Sequence, residues 1–312
     1  MSFRVTGTMI FNRLMSNMRL STQTIGDLQE QMVTMRRINR PSDDPTGASR
    51  AQSLLSGEHD YQQYLDNIDQ ARGVMDFAAG VLETVSNEVV NARVKLLSAI
   101  SPTADATSKR VIASELDDIL RSIVAEANSS FAGMSVFGGT RTGEPPFEIT
   151  SESSSGIESV AYHGNSGRIS FVVGPNDTAD VNEDPVDVFM PRGQAAGLFD
   201  TIIEIRKVLQ NPDNLSEKEQ AEKLSGMLKR MDTIHDDVVR GLGRLGTRSK
   251  ALQIRRDLYE QAQISSTQRR SEIEDADIAD VALRLQNQQT IFQVILSSSS
   301  SVFNSNLTEF LK

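Results

Sequence analysis

Gly241-Leu242-Gly243-Arg244-Leu245-Gly246 spells G-x-G-x-x-G, a spacing that can bring backbone N–H groups against a pyrophosphate. That use needs a strand before the motif and a helix after it. Here the heptad phase of Val238 and Leu245 runs unbroken through the glycines, so the run predicts a thinned helix surface against a neighbour. Gly138-Gly139-Thr140-Arg141-Thr142-Gly143 lacks the Gly-Lys-Ser/Thr ending of a phosphate loop and reads as a turn. Asp43 and Asp44 could be a carboxylate pair, but adjacent residues rarely converge on one point and no His is near. Turn and cap chemistry is the expectation there. His59, His163 and His235 sit in separate segments without the i, i+4 spacing of zinc ligands. Glu272, Glu274, Asp275, Asp277 and Asp280 lack the alternation of a calcium loop and read as a solvated or partner-facing surface. There is no Cys, which excludes disulfides and thiolate chemistry. No catalytic centre, cofactor or metal site is expected.

The elements that would carry these residues are helices. Phe11, Leu14, Met18, Ser21, Ile25, Leu28, Met32 and Met35 follow a 3-4 spacing, with Ser21 the only polar member. Ile278, Val281, Leu285, Phe292, Ile295 and Val302 form a second seam near the other end, and Leu307 and Phe310 close the chain. Each stripe needs a partner, because most helical stability comes from burying an apolar face. Sticky terminal helices point to an assembly subunit.

Between them, Tyr61, Tyr64, Ile68, Ala71, Met75, Ala78, Leu82, Val85, Val89, Ala92 and Leu96 keep one unbroken rhythm. Gly73 and Gly80 lie behind that seam, where either another backbone approaches or drift placed them. A further helix is expected from about residue 108 to 128. Helical pattern resumes near Gly193, and after Pro212 it becomes long. Leu224, Met231, Val238, Leu245, Leu252 and Tyr259 share one heptad position there, with Met227 and Ile234 on its partner. The partner positions that follow are Gly241, Arg248 and Arg255, a weaker seam that predicts a local bend. The serines from Ser297 to Ser301 either let helices approach closely or form a polar tail.

Residues 131–191 break the helical pattern with turn residues and short β-like runs at 147–150, 159–162 and 169–173. The fold class expected is mainly α: a long antiparallel helical rod, terminal coiled-coil pairing and a small antiparallel β insert. The division expected is 1–40 with 272–312 as a terminal domain, 41–130 with 192–271 as the rod, and 131–191 as the insert. Arg40-Pro41-Ser42-Asp43-Asp44-Pro45 is the turn between terminal domain and rod.

The chain has 312 residues, a formal net charge of −10 and only 5% aromatics without Trp. The acidity argues against nucleic acid as a partner. No apolar run is long enough to span a membrane. Arg4 and Arg13 flank no continuous apolar stretch, so no cleaved signal peptide is expected.

Two segments carry a resemblance. Gln31 with Arg37-Ile38-Asn39-Arg40-Pro41-Ser42-Asp43-Asp44-Pro45 resembles the signature closing the first helix of flagellins and their hook-associated relatives. Ser271 to Ala282 is similar to the C-terminal signature of that superfamily, and Gly246 to Leu252 to the entry of its penultimate helix. Gln63 to Ile68, Gly133 to Gly139, Pro146-Phe147 and Asn306 to Leu311 resemble its hook-associated members, with Ser135 where Tyr is usual. The resemblance implies an extracellular flagellar subunit, exported by the flagellar type III route. Its terminal helices would pair on assembly. It would form a homo-oligomeric ring, meeting another hook-associated protein on the hook side and flagellin on the filament side. An export chaperone would bind the C-terminal helix. A short flagellin forming the filament itself is the alternative.

Overall fold

A computed structural model describes residues 7–101, 104–190, 197–211 and 215–310, and their side chains except those of residues 7, 8, 10 and 301–310. The elements in order are α1 (Gly7–Thr34), α2 (Pro45–Ile100), α3 (Ala106–Ala127), β1 (Ser130–Phe131), β2 (Met134–Ser135), β3 (Phe147–Ser153), β4 (Gly156–Tyr162), β5 (Ser170–Gly174), β6 (Asp177–Asp180), α4 (Pro185–Phe189), α5 (Leu198–Gln210), α6 (Glu217–Glu274) and α7 (Ile278–Phe310). The chain is mainly helical, with three separate two-stranded antiparallel sheets among the described residues. It divides into a unit of residues 1–62 with 261–312 and a unit of residues 63–260.

In the 63–260 unit the α2 rhythm is the core. Ile68, Ala71, Met75, Leu82, Val85, Val89, Ala92 and Leu96 are fully buried. Leu224, Met231, Val238, Leu245 and Leu252 of α6 are buried in the same cluster, with Met227 and Ile234. The two helices run antiparallel. Tyr64 packs on Tyr259, Asp69 pairs with Arg256, Asp76 accepts from Ser249, and Ser86 meets His235. Helix α3, capped by Asp105 on the Ser108 amide at 2.8 Å, buries Leu116, Leu120 and Ile123.

The insert packs on this rod. Its β3–β4 hairpin aligns Phe147 with Tyr162 and Ile149 with Val160, with irregular register around Ser151. Asn128, just past α3, both donates to and accepts from the Phe147 backbone at 2.8 and 2.9 Å, standing in for a strand neighbour. Phe137, Phe147, Phe189 and Phe199 form one ring cluster, with centroids 5.0–5.8 Å apart along its contacts. The Tyr162 hydroxyl, 3.0 Å from the Asn165 carbonyl, is pushed up to about 12 by burial and by the nearby Asp184.

Gly241 explains part of the weak seam on α6. A Cβ there would lie 3.0 Å from Val188 Cγ2 and 3.4 Å from Leu82 Cδ1, so the missing side chain lets α4 approach. Gly243 and Gly246 face open space. Gly73 lies under the Phe131 ring, 3.2 Å from where a Cβ would stand, whereas Gly80 meets nothing. The close neighbour is therefore an aromatic ring, and at only one of the two positions.

Candidate assembly site

In the 1–62/261–312 unit, α1 and α7 pack against each other in antiparallel order. Ser21 meets Gln288, Met35 O accepts from Ala276 N at 3.0 Å, and Arg36 bridges Asp275, so position rises on one segment as it falls on the other. Leu28 and Val281 are buried. Leu14, Met18, Ile25, Met32, Leu285, Phe292 and Ile295 are half-buried. Phe11 and Ile278, near the ends of the pair, are exposed. The side chains of Val302, Leu307 and Phe310 lie outside the described ones.

Met35 does not continue the stripe. Helix α1 stops at Thr34, Met35 takes φ 57°, and its side chain is 65% exposed. The chain needs that left-handed residue to turn from helix into a short extended contact, in which Arg37 N donates to Glu274 O at 2.6 Å. The Arg37 guanidinium also donates to Ile273 O at 2.7 Å, and Ile38 is buried.

One stripe of each helix is covered and another is not. Met15 and Leu20 on α1 and Leu283, Ile291, Val294 and Leu296 on α7 remain exposed. Leu283, Ile291 and Val294 are spaced eight and three apart, which puts them along one side of a helix.

The turn before α2 is held by side-chain oxygens. Asp43 Oδ2 accepts from the amides of Arg40 at 2.8 Å and Asn39 at 3.0 Å. Asp44 Oδ1 accepts from Gly47 N at 2.9 Å, and Pro45 fills the first helical position, where no intrahelical donor is needed. Those amides hold both carboxyls below the usual aspartate range, Arg40 contributing most for Asp43 and Gly47 for Asp44. At Gly47 a Cβ would sit 2.5 Å from Asp44 Oδ2 and 2.7 Å from Ile38 Cδ1, so any side chain there would displace the Asp44 carboxylate or Ile38. Arg37 pairs with Asp44 at 3.4 Å and Arg40 with Glu30 at 2.8 Å. Pro41 and Ser42 are exposed at the tip.

Several members of this arrangement have no sign in an apolar count. Gln288 fills the 3-4 slot between Leu285 and Phe292, so the spacing itself could have marked it. Asp277, read as part of an acidic surface, instead caps α7, accepting from Ala279 N at 3.0 Å and Asp280 N at 3.3 Å. Glu274 takes Arg270 at 3.2 Å, and Arg270 also reaches Glu58 at 3.1 Å. Ser297, Ser299 and Ser300 return their hydroxyls to carbonyls of their own helix.

Among the described residues no group of three His, Asp or Glu could hold a metal ion. His163 pairs with Glu148 at 2.9 Å, and His235 is 3.1 Å from the Ser86 hydroxyl. No helix among the described residues is long and apolar enough to cross a membrane.

Residues 5–142 match the family model for the bacterial flagellin N-terminal helical region. Flagellar hook-associated protein 3 of Escherichia coli K12 is 27% identical over 85% of this chain and 86% of its own length. The Salmonella typhimurium LT2 protein of the same name is 29% identical, over 53% of each chain, about half the length of that relative. The crystal structure of the flagellar junction protein FlgL from Legionella pneumophila shares the fold, with a TM-score of 0.60 and 14% identity, over 72% of this chain and 99% of that one. The chain is thus flagellin-like over its N-terminal helical region and similar to flagellar hook-associated protein 3 over most of its length.

Proposed function

We propose that this chain is a structural adaptor subunit of the bacterial flagellum at the hook–filament junction. The observation that carries the reading is the match to a hook-associated protein 3 across 85% of the chain. The terminal helix pair is consistent with it. That pair leaves apolar side chains on α1 and α7 outward, a surface suited to packing against neighbouring subunits.

In this reading the subunits form a ring by a homo-oligomeric contact. One side meets another hook-associated protein and the other meets flagellin. The terminal seam residues and residues 1–40 with 272–312 form the assembly domain. Arg40 to Pro45 is the turn into the rod of 41–130 with 192–271, and 131–191 is the surface insert. The subunit works outside the cell, exported without a cleaved signal peptide, and a chaperone covers the C-terminal helix before export.

Immunogold electron microscopy with an antibody against residues 145–190 tests this. Label in one narrow band between hook and filament is the expected result. Label along the whole filament would overturn it in favour of a short flagellin.

A further inference from the structure

The helix pair α1–α7 contains a half-buried polar contact, and its position carries information. Ser21 is 3% exposed in a stripe that is otherwise apolar. Its hydroxyl accepts from Gln288 Nε2 at 3.0 Å, across the pair. The register set by this contact and by the Arg36–Asp275 bridge places Leu28 across from Val281, Met18 across from Phe292 and Leu14 across from Ile295.

A slip of one heptad keeps the same faces of the two helices together, though it sets Met18 against Ser299 in one direction and carries Leu28 past the start of α7 in the other. The slip does change the partners of the polar pair. Ser21 would then face Val281 or Ile295, and Gln288 would face Leu28 or Leu14, depending on direction. The buried Ser21 hydroxyl would lose its Gln288 donor to hydrocarbon, and the half-buried Gln288 amide would lose its acceptor, a loss the observed register avoids.

We propose that Ser21 and Gln288 are the register lock of the terminal helices: they select one alignment of α1 on α7 and thereby which residues of the two stripes face each other. The inference does not rest on the junction reading, since it concerns a contact within one chain.

The chain has no Cys, so introduced pairs are unambiguous. A heptad slip moves the helices by about 10 Å, whereas a disulfide needs Cα atoms within about 4.4–6.8 Å. The full chain is equilibrated in a glutathione redox buffer at low concentration, and intramolecular disulfides are read by gel mobility and peptide mass. With the polar pair intact, Met18→Cys with Phe292→Cys should close, while Met18→Cys with Leu285→Cys, or with Ser299→Cys, should not. In the Ser21→Ala, Gln288→Leu background the two slipped pairs should now close as well. Exchanging the polar residues, Ser21→Gln with Gln288→Ser, should restore the single alignment. Slipped disulfides with the pair intact, a single alignment in the apolar background, or failure of the exchanged pair to restore it would each overturn the proposal.

Discussion

Arg206 is the largest fully buried side chain among the described residues and sets up the sharpest test of how the insert is held. Its guanidinium donates to Asp117 Oδ1 at 3.0 Å, to Ser155 O at 2.5 Å and to Ile157 O at 2.6 Å. Asp117 also accepts from Ile157 N at 2.8 Å, so one acid–base pair from α3 and α5 fastens the tip of the β3–β4 hairpin. Gly156 makes this possible: it has φ 113°, and any Cβ would occupy the space of the Arg206 guanidinium. Asp117→Ala would leave Arg206 buried without its counter-charge and Ile157 N without an acceptor. Removing one member of a buried pair costs about 3–5 kcal/mol. At about 2–4 °C per kcal/mol for a unit of this size, the melting temperature should fall by roughly 6–20 °C. Asp117→Asn keeps an oxygen acceptor for Ile157 N but also removes the counter-charge, so it should lower the melting temperature by less than the Ala variant does and by more than a neutral hydrogen bond alone would account for. Arg121, whose pairs with Asp117 and Glu152 are solvent-exposed on its side, serves as the control, and Arg121→Ala should cost no more than about 1 kcal/mol. Calorimetry on the full chain at neutral pH reads all three. A shift under about 3 °C for the Ala variant, or equal shifts for Ala and Asn, would refute the buried-pair reasoning.

Three other outcomes follow from the same geometry. Gly243→Ala, which adds a methyl in open space within α6, should raise stability by up to about 1 kcal/mol, while Gly241→Ala should lose most or all of that gain against Val188; paired denaturation curves decide it. Asp43 and Asp44 have folded-state values below their unfolded ones, so their contribution is complete above the ordinary aspartate range and is lost as pH falls below about 4. Melting of the 1–62/261–312 unit should therefore weaken on the acid side, and Asp43→Ala with Asp44→Ala should lower its stability at neutral pH while flattening that decline; an unchanged profile contradicts the bracing role. Amide exchange in the isolated chain should be faster in α1 and α7 than at the α2 positions from Ile68 to Leu96, because the terminal pair buries a single stripe; equal protection would contradict this.

What can be read from the sequence is whatever repeats locally. The α2 stripe from Ile68 to Leu96 is buried as spaced, because a helix carries its own period and needs only one partner to cover it. The β-like runs at 147–150, 159–162 and 169–173 all fall on strands or beside one, but β6 carries a single apolar residue and α4, five residues long, is too short to show a helical period. Asp117 has the look of a solvent-facing acid on an amphipathic helix. Its partner Arg206 is 89 residues away, and no local pattern joins them. Of the terminal stripes Leu28 and Val281 are buried as spaced, while Asp277 could not be read as a cap, because a count of apolar spacing passes over a side chain that matters for its hydrogen bonds.

The weak stretch of the α6 seam shows how one helix can answer to two neighbours. Gly241, Arg248 and Arg255 break the apolar rhythm, and from spacing alone they read as a place where the helix bends. In the structure α6 is helical without interruption from Glu217 to Glu274, and these positions meet the insert. Gly241 admits Val188, Arg248 reaches the buried Glu183 at 3.0 Å beside Arg244 at 2.8 Å, and Arg255 pairs with Asp177. From α2, Asn67 donates to Val172 O at 2.7 Å. An apolar residue at Arg248 would extend the rod's seam but leave Glu183 short of one of its two counter-charges, and a larger residue at Gly241 would push on Val188. The loss of heptad regularity is thus the sequence signature of a docking face: where a rod must carry an insert, its apolar stripe gives way to small and charged residues that fit that insert.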